Sequence, residues 1–405
     1  MISVRTRVLA FAALCLASVC SAQTPEEVRR DGRVHVGPFY VTPRFSVKDF
    51  GVDTNVFNAG QAARDFTFTV APEAKVSVPF GRRAVVTTTL GTDLVYYRRY
   101  ASERSVDPEV MVRAEGFLGH VVPYVETAAL RTRQRPNHEI DARLLRRERR
   151  VTGGVKVVVS PKLSFDLSSL RRAIEYDEDA AVNDIRLQET LNRTIRVQSF
   201  EGRYEATPLT TLSVRVDAAQ DRFEFSPMRD ADSTAIVPGV EFAPRALISG
   251  VARLGVKRFN PIHAALEPFS GVVAEAALSY TLQGATKFTF KADRDLTYSY
   301  ERAQPYFVVD GYGVEVRRHL TGPIDVRGAF DRQRYSYRDL LLPGAAPLDL
   351  GRVDRTRTWS GAIGYRLGRS VHAGVGAAWR ERASTSLRFR HYQGLRFTST
   401  LDYEF

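Results

Sequence analysis

The chain is poor in several residues that commonly mark a site or a staple. Its 405 residues include two cysteines, two tryptophans and three methionines. Both cysteines, Cys15 and Cys20, fall within the first 22 residues. The remainder therefore has no disulfide framework and no thiolate metal site. Beyond residue 22 no stretch supplies the ~18 or more consecutive apolar residues of a membrane helix. The seven histidines (His35, His120, His138, His263, His319, His372 and His391) are scattered singly, with none at metal-ligand spacing from another. There is no Gly-x-Ser-x-Gly elbow, no His-Glu-x-x-His and no phosphate loop. These gaps remove the common hydrolase, metalloprotease and nucleotide-binding signatures, and no cofactor is expected.

What the N-terminus does contain is an export signal. Arg5 and Arg7 precede the apolar run Val8 to Ala17, and small residues follow at Cys20 and Ala22. This pattern predicts a secretory signal peptide over 1–22 with cleavage after Ala22. The competing reading is a lipoprotein signal acylated at Cys20, which Val19 fits poorly. An exported chain without disulfides or a membrane helix retains one membrane-spanning form, the closed β-barrel.

The formal charge is +12. Without Arg5 and Arg7, 56 basic side chains face 46 acidic ones. Export argues against nucleic acid as a partner. The basic excess fits an anion-attracting lumen or contact with outer-membrane lipid and anionic lipopolysaccharide. Alternatively, charges of both signs simply fill a water-facing interior.

The segment 23–36 is polar and aperiodic and reads as a periplasmic lead-in. From 37 to 405 one unit repeats: an alternating segment, a short turn, another alternating segment, a longer polar loop. That repeat predicts an all-β fold, a transmembrane antiparallel outer-membrane β-barrel of sixteen to eighteen strands. The first five segments fall near 39–50, 66–78, 86–96, 110–118 and 121–133. The others fall near 148–160, 163–176, 193–206, 210–224, 233–244, 247–259, 269–282, 285–300, 304–320, 322–337, 352–367, 369–383 and 387–405. Some are cleanly two-faced: Leu212, Val214, Val216 and Ala218 oppose Ser213, Arg215 and Asp217. The segment at 121–133 cannot be phased. Those near 163 and 193 change phase midway, which predicts a bulge or a shifted boundary. Aromatic residues at segment ends (Tyr96, Tyr97, Tyr100, Tyr298, Tyr300, Tyr335, Tyr337, Trp379) predict girdles at the membrane boundary.

The final segment alternates apolar or small Leu395, Phe397, Ser399, Leu401 and Tyr403 with polar Arg396, Thr398, Thr400, Asp402 and Glu404. It reads as the closing strand, paired with the first. Ending on Phe405 resembles the terminal signal read by barrel-assembly machinery, which makes that machinery an expected partner.

The stretch Gly51-Val52-Asp53-Thr54-Asn55-Val56-Phe57 follows the first segment. Physically it reads as a turn: Gly51 permits an unusual backbone angle, and Asp53 and Asn55 bond nearby backbone. A calcium or sugar contact through Asp53 and Asn55 is the alternative. With the signal peptide, the charged alternating segments and the terminal aromatic, this stretch resembles the β-barrel porin type 2 family. That family carries a similar Gly-aromatic-Asp-x-Asn-Val-Phe motif, with Val52 here in the aromatic position. The resemblance implies an outer-membrane barrel associated with exopolysaccharide or capsule systems, hence polysaccharide-export components as partners, and no catalytic residues.

The expected water-facing side carries Arg44, Lys48, Lys75, Arg113, Arg215, Arg253, Lys257, Lys291, Arg317, Arg327, Arg366, Arg380 and Arg396, the candidate pore-lining residues. So many charges cannot sit in a dry core, so the interior must be wet. The basic stretch Arg131 to Arg150 either folds inward as a constriction or lies outside against anionic sugar. The best enzyme-like fragment, Asp293 with Asp295, could hold an acidic pair but reads more simply as lumen carboxylates. Three functions follow: a passive channel for polysaccharide or anionic solutes, a structural or adhesive barrel with a plugged lumen, and an outer-membrane hydrolase.

Overall fold

The computed structural model describes residues 24–404 except 138, 321, 341–350, 369 and 387–390, and gives no side chain for Asp31. The expected signal peptide and Phe405 lie outside the described residues. Eighteen antiparallel strands close into a barrel. They are β1 Phe39–Asp53, β2 Asp65–Phe80, β3 Ala84–Tyr97, β4 Ser105–Gly116, β5 Val121–Thr132 and β6 Arg146–Ser160. The middle six are β7 Leu163–Tyr176, β8 Arg193–Thr207, β9 Thr210–Phe223, β10 Ala231–Phe242, β11 Ile248–Pro261 and β12 Phe269–Leu282. The last six are β13 Thr286–Tyr298, β14 Tyr306–His319, β15 Ile324–Arg338, β16 Val353–Leu367, β17 Val371–Ser384 and β18 Tyr392–Glu404. Closure is by β1 on β18, from Arg44 opposite Glu404 to Asp53 opposite Arg396. All short turns, such as 81–83, 161–162 and 208–209, lie at one end; the long loops, such as 54–64, 133–145 and 177–192, lie at the other.

Successive side chains alternate between the two faces of the wall. Outward positions are apolar and uncovered: Leu212, Val214 and Val216 on β9, Phe288 and Phe290 on β13, Trp359, Ile363 and Tyr365 on β16. Inward positions through the middle of the wall are mostly polar and partly covered. This pattern is the one lipid outside and water inside require.

The lead-in is more ordered than its composition implied. Pro25–Asp31 forms a helix capped by Thr24, whose hydroxyl accepts from the Glu27 N–H while the Glu27 carboxylate accepts from the Thr24 N–H, and Val34–Val36 pairs onto β1. The Thr24-x-x-Glu27 box was the sequence signal for it. Arg29 donates to the Gly81 carbonyl, so the helix packs at the turn end.

The phase changes near 163 and 193 are not bulges. Pairing between β7 and β8 runs unbroken from Leu163–Tyr204 to Ile174–Arg193. What changes is the medium. Toward the loop end the outward residues become polar (Arg171, Arg196, Gln198), while the inward ones become apolar (Leu170, Ile174, Ile195, Val197) because loops fill the barrel mouth there. β5 resisted phasing because its inward face carries Val122, Tyr124 and Leu130 and its outward face Thr127 and Arg131. A true bulge occurs in β1, where Asp49 takes φ 57° and pairing shifts between Val47 and Phe50.

Gly51 lies inside β1 just after that bulge, not in a turn. A Cβ there would sit 1.9 Å from the Phe397 carbonyl oxygen, so the close approach of β18 demands glycine. The expected backbone bonds of the motif do form. Asp53 Oδ1 accepts from the Asn55 N–H, and the Asn55 amide reaches the Ala59 and Gln393 carbonyls.

Candidate functional site: the occupied mouth of the barrel

Several segments enter the loop end. The β13–β14 hairpin leaves the wall: β13 pairs with β12 only as far as Arg294, yet stays paired to β14 up to Tyr298–Tyr306. Tyr306, Phe307, Val308 and Val309 are all buried, so both faces of the strand are covered. One face meets the inward side chains Phe223, Phe259 and Phe269, and the other packs on Tyr335 and Tyr337. The hairpin tip has therefore swung inside. Arg294 fills the gap in the wall, donating to the Val272 carbonyl and pairing with Asp310.

The segment 133–145 also folds in, deciding the sequence alternative for this part of the basic stretch. Ile140 is fully buried among Leu187, Leu191, Tyr300 and Tyr306. Its flanking acids are tied to opposite sides. Asp141 accepts from Arg382 Nη1 at 2.6 Å, from the Tyr392 hydroxyl and from the Asn58 amide. Glu139 accepts from the Ser299 hydroxyl at 2.6 Å and from the Tyr300 N–H. The second guanidinium nitrogen of Arg382 reaches Asp354 at 2.7 Å, and Asp354 also takes Arg352 at 2.6 Å. Arg352 lies over the Tyr337 ring, 3.9 Å from its centre. Asp141 and Asp354 are each paired with arginine, which is the condition for a charge to leave water, whereas Glu139 is held by neutral donors.

Burial pushes the Glu139 carboxyl up to about 7, against the pull of Arg352, the Ser299 bond and Arg382. Burial likewise lowers the Arg229 guanidinium to about 10; it sits in the 224–230 loop and donates to the Ser299 and Glu301 carbonyls.

The aromatic residues expected to form girdles divide between the two media. Tyr97, Tyr298, Tyr300, Tyr335 and Tyr337 are buried against the inserted loops, and Tyr100 packs on Phe57. Tyr96 does face outward, stacked on Phe68, and Trp379 lies opposite the outward Trp359. The loop-end rings serve the plug because that is where protein, not lipid, meets the wall.

The thirteen basic residues expected inside all sit at inward positions, and at least ten have an acidic partner. Arg44 pairs with Glu73 and Glu404, Lys48 with Asp93, and Arg113 with Glu115 and Glu126. Arg215 pairs with Asp217, Arg253 with Glu275, and Lys257 with Asp295. Arg317 and Arg327 share Glu315, Arg380 meets Asp53, and Arg396 meets Asp49 and Asp53. Lys75 stands opposite Thr42 and Thr89, Lys291 opposite Gly313, and Arg366 is exposed at the turn end. Most of the inward positive charge is thus balanced locally. Asp295 is held by Lys257, while Asp293 covers Gly311, where a Cβ would lie 2.2 Å from its Oδ1.

Beneath the inserted segment lies a cavity of about 50 Å³ lined by Asn58, Arg135, Asn137, Asp141, Thr356, Thr358, Arg380, Glu381 and Tyr392. Arg135 donates to the Val56 and Asp141 carbonyls, neutral partners, and has no acidic partner among the described residues. The sequence pointed to Arg380, and to Arg135 within the basic stretch, but not to Glu139, Asp141, Arg352, Asp354 and Arg382 as a unit. The acid–apolar–acid triplet Glu139-Ile140-Asp141 inside a basic stretch was the available signal.

A closed antiparallel barrel with lipid-facing apolar bands and inserted loops defines an outer-membrane porin-like protein. The family model Putative beta-barrel porin 2 matches residues 33–402, and the chain belongs to that family. Among solved structures, a BenF-like porin from Pseudomonas fluorescens Pf-5 is similar at TM-score 0.53 and 9% identity, over 90% of this chain and 98% of that one. Pseudomonas aeruginosa OccK2 (OpdF) in complex with glucuronate gives TM-score 0.51 and 11% identity, over 90% and 98%. Pseudomonas aeruginosa OpdK with vanillate gives 0.51 and 9%, over the same shares. These identities establish the shared fold. No curated protein matches the chain.

Proposed function

We propose that the protein is a gated outer-membrane channel selective for small anionic solutes, carboxylates above all. The observation that carries this reading is the cavity under the 133–145 segment. There Arg135 donates to backbone carbonyls, Arg380 pairs with Asp53, the two lining carboxylates Asp141 and Glu381 are held by Arg382 and Arg357, and Asn58, Asn137, Thr356 and Tyr392 add neutral hydrogen-bonding groups. Selectivity in such a channel rests on a local cationic site rather than on a net-basic lumen, since the other inward cations are mostly paired. Glucuronate and vanillate, held by two proteins of similar fold, belong to the same chemical class. Passage of polysaccharide, the role the family resemblance implied, would require the 133–145 segment to leave the mouth.

Planar-bilayer recording on the purified protein tests the proposal. Expected are channels of small conductance with anion preference, and Arg135→Ala lowering that preference. Cation preference, or anion preference unchanged in Arg135→Ala, rejects it; large conductance only after deletion of 133–145 would favour polysaccharide passage.

A further inference from the structure

Arginine is also concentrated where the channel has no use for it, on the outer surface near the loop end. Arg131 of β5, Arg147 and Arg149 of β6, Arg171 of β7 and Arg196 of β8 all occupy outward positions and are exposed. The strand register makes them one contiguous strip. Arg131 stands directly opposite Arg147, and Arg171 directly opposite Arg196. Arg149, opposite Ala173, lies diagonal to Arg171. Like charges directly opposite each other destabilise a strand pair. Yet among the described residues Arg131, Arg149, Arg171 and Arg196 have no acidic partner within salt-bridge distance, while Arg147 stands opposite Glu175 and has Asp177 at 3.9 Å. On the inward face of the same strands the rule is reversed: Arg172 meets Glu148, and Arg150 meets Glu126.

Immediately toward the turn end the outward face turns apolar, with Val125, Val151, Val155, Leu167 and Phe200 exposed. At about 3.3 Å per residue, Arg149 stands only ~7 Å above Val151 along the strand. The strip therefore lies at the level where acyl chains give way to headgroups. A guanidinium's planar fork matches the two oxygens of a phosphate.

We propose that this strip on β5–β8 binds the phosphate groups of an anionic phosphorylated glycolipid in the outer leaflet, with its acyl chains along the apolar band below. The proposal rests on the barrel lying in the outer membrane with its loop end outward. A second outward arginine group, Arg332 opposite Arg357 and Arg334 opposite Arg355, is partly neutralised, with Glu381 3.0 Å from Arg357. The larger group, five arginines across four neighbouring strands, is on β5–β8.

The test is native mass spectrometry of the full folded chain released from micelles containing diphosphoryl lipid A, its dephosphorylated counterpart, or phosphatidylglycerol. Expected is retention of diphosphoryl lipid A at least tenfold above the dephosphorylated form. That retention should fall about tenfold in a variant carrying R131A, R147A, R149A, R171A and R196A, with folding checked by heat-modifiable migration. The double variant R171A/R196A should fall by a smaller factor and serves if the fivefold variant does not fold. Equal retention of the dephosphorylated lipid by the unaltered protein overturns the proposal, as does full displacement by millimolar inorganic phosphate or unchanged retention in a folded variant. Failure of the unaltered protein to insert into lipid vesicles would instead reject the membrane reading beneath it.

Discussion

Arg382 on β17 and Asp141 in the inserted segment meet at 2.6 Å, each side chain about 4% exposed. This contact joins the wall to the loop that occupies the mouth. The same guanidinium holds Asp354, so the wall is braced and the loop seated by one side chain.

Removing either partner should unseat the loop. Arg382→Ala leaves two buried carboxylates without their shared cation, a loss of about 3–5 kcal/mol for breaking a buried pair. The expected result is a lower unfolding midpoint and a higher open probability in single-channel recordings. Asp141→Asn should raise open probability with a smaller effect on the wall, because Asp354 keeps both its arginines. Unchanged gating in both variants would show that the segment is not held there.

The seat should also respond to pH. Glu139, in a loop outside the membrane-spanning strands, has its carboxyl raised from an ordinary 4.5 to about 7. Between those values the folded state binds more protons than the unfolded one, so stability falls as pH rises. The contribution is complete below about pH 4.5 and gone above about pH 7, on the order of 3 kcal/mol in all. Channel closure should therefore be favoured at acidic pH and relax toward neutrality. Glu139→Gln should flatten that dependence, which recordings from pH 4.5 to 7.5 would reveal.

Gly51→Ala should impair closure of the barrel. Its methyl group would meet the Phe397 carbonyl at 1.9 Å, on the seam between first and last strands. Loss of the compact, heat-modifiable form on gels is the expected readout, with Gly153→Ala, where nothing lies near the new atom, as the control.

Ile195 offers a test of what faces inward. It is 1% exposed on the inner face of β8, against the inserted loops. Ile195→Ala should cost about 2–4 kcal/mol through the cavity it leaves. A water-lined position would lose almost nothing, so a urea titration in vesicles separates the two.

Much of the architecture could be read directly from the chain. Every segment expected as a strand is one, because a wall between two media imprints a period of two on the residues crossing it. The Asp53 and Asn55 turn bonds were legible because short polar side chains bond backbone nearby. The cluster of Glu139, Asp141, Arg352, Asp354 and Arg382 was not, since its members lie up to about 240 positions apart and meet only through closure and loop insertion. The phase changes at β7 and β8 show the limit most clearly. Alternation reveals that two faces differ, not what each touches. Ile174 and Ile195 look lipid-facing by chemistry, and Arg171 and Arg196 look water-filled-lumen by charge; both assignments invert once loops occupy the mouth. The sequence by itself determined the strands, their order and the two-sided wall, because those follow from local period and turn residues. Only the tertiary structure decided which inward positions are wet and which are packed, because that depends on where distant loops come to rest.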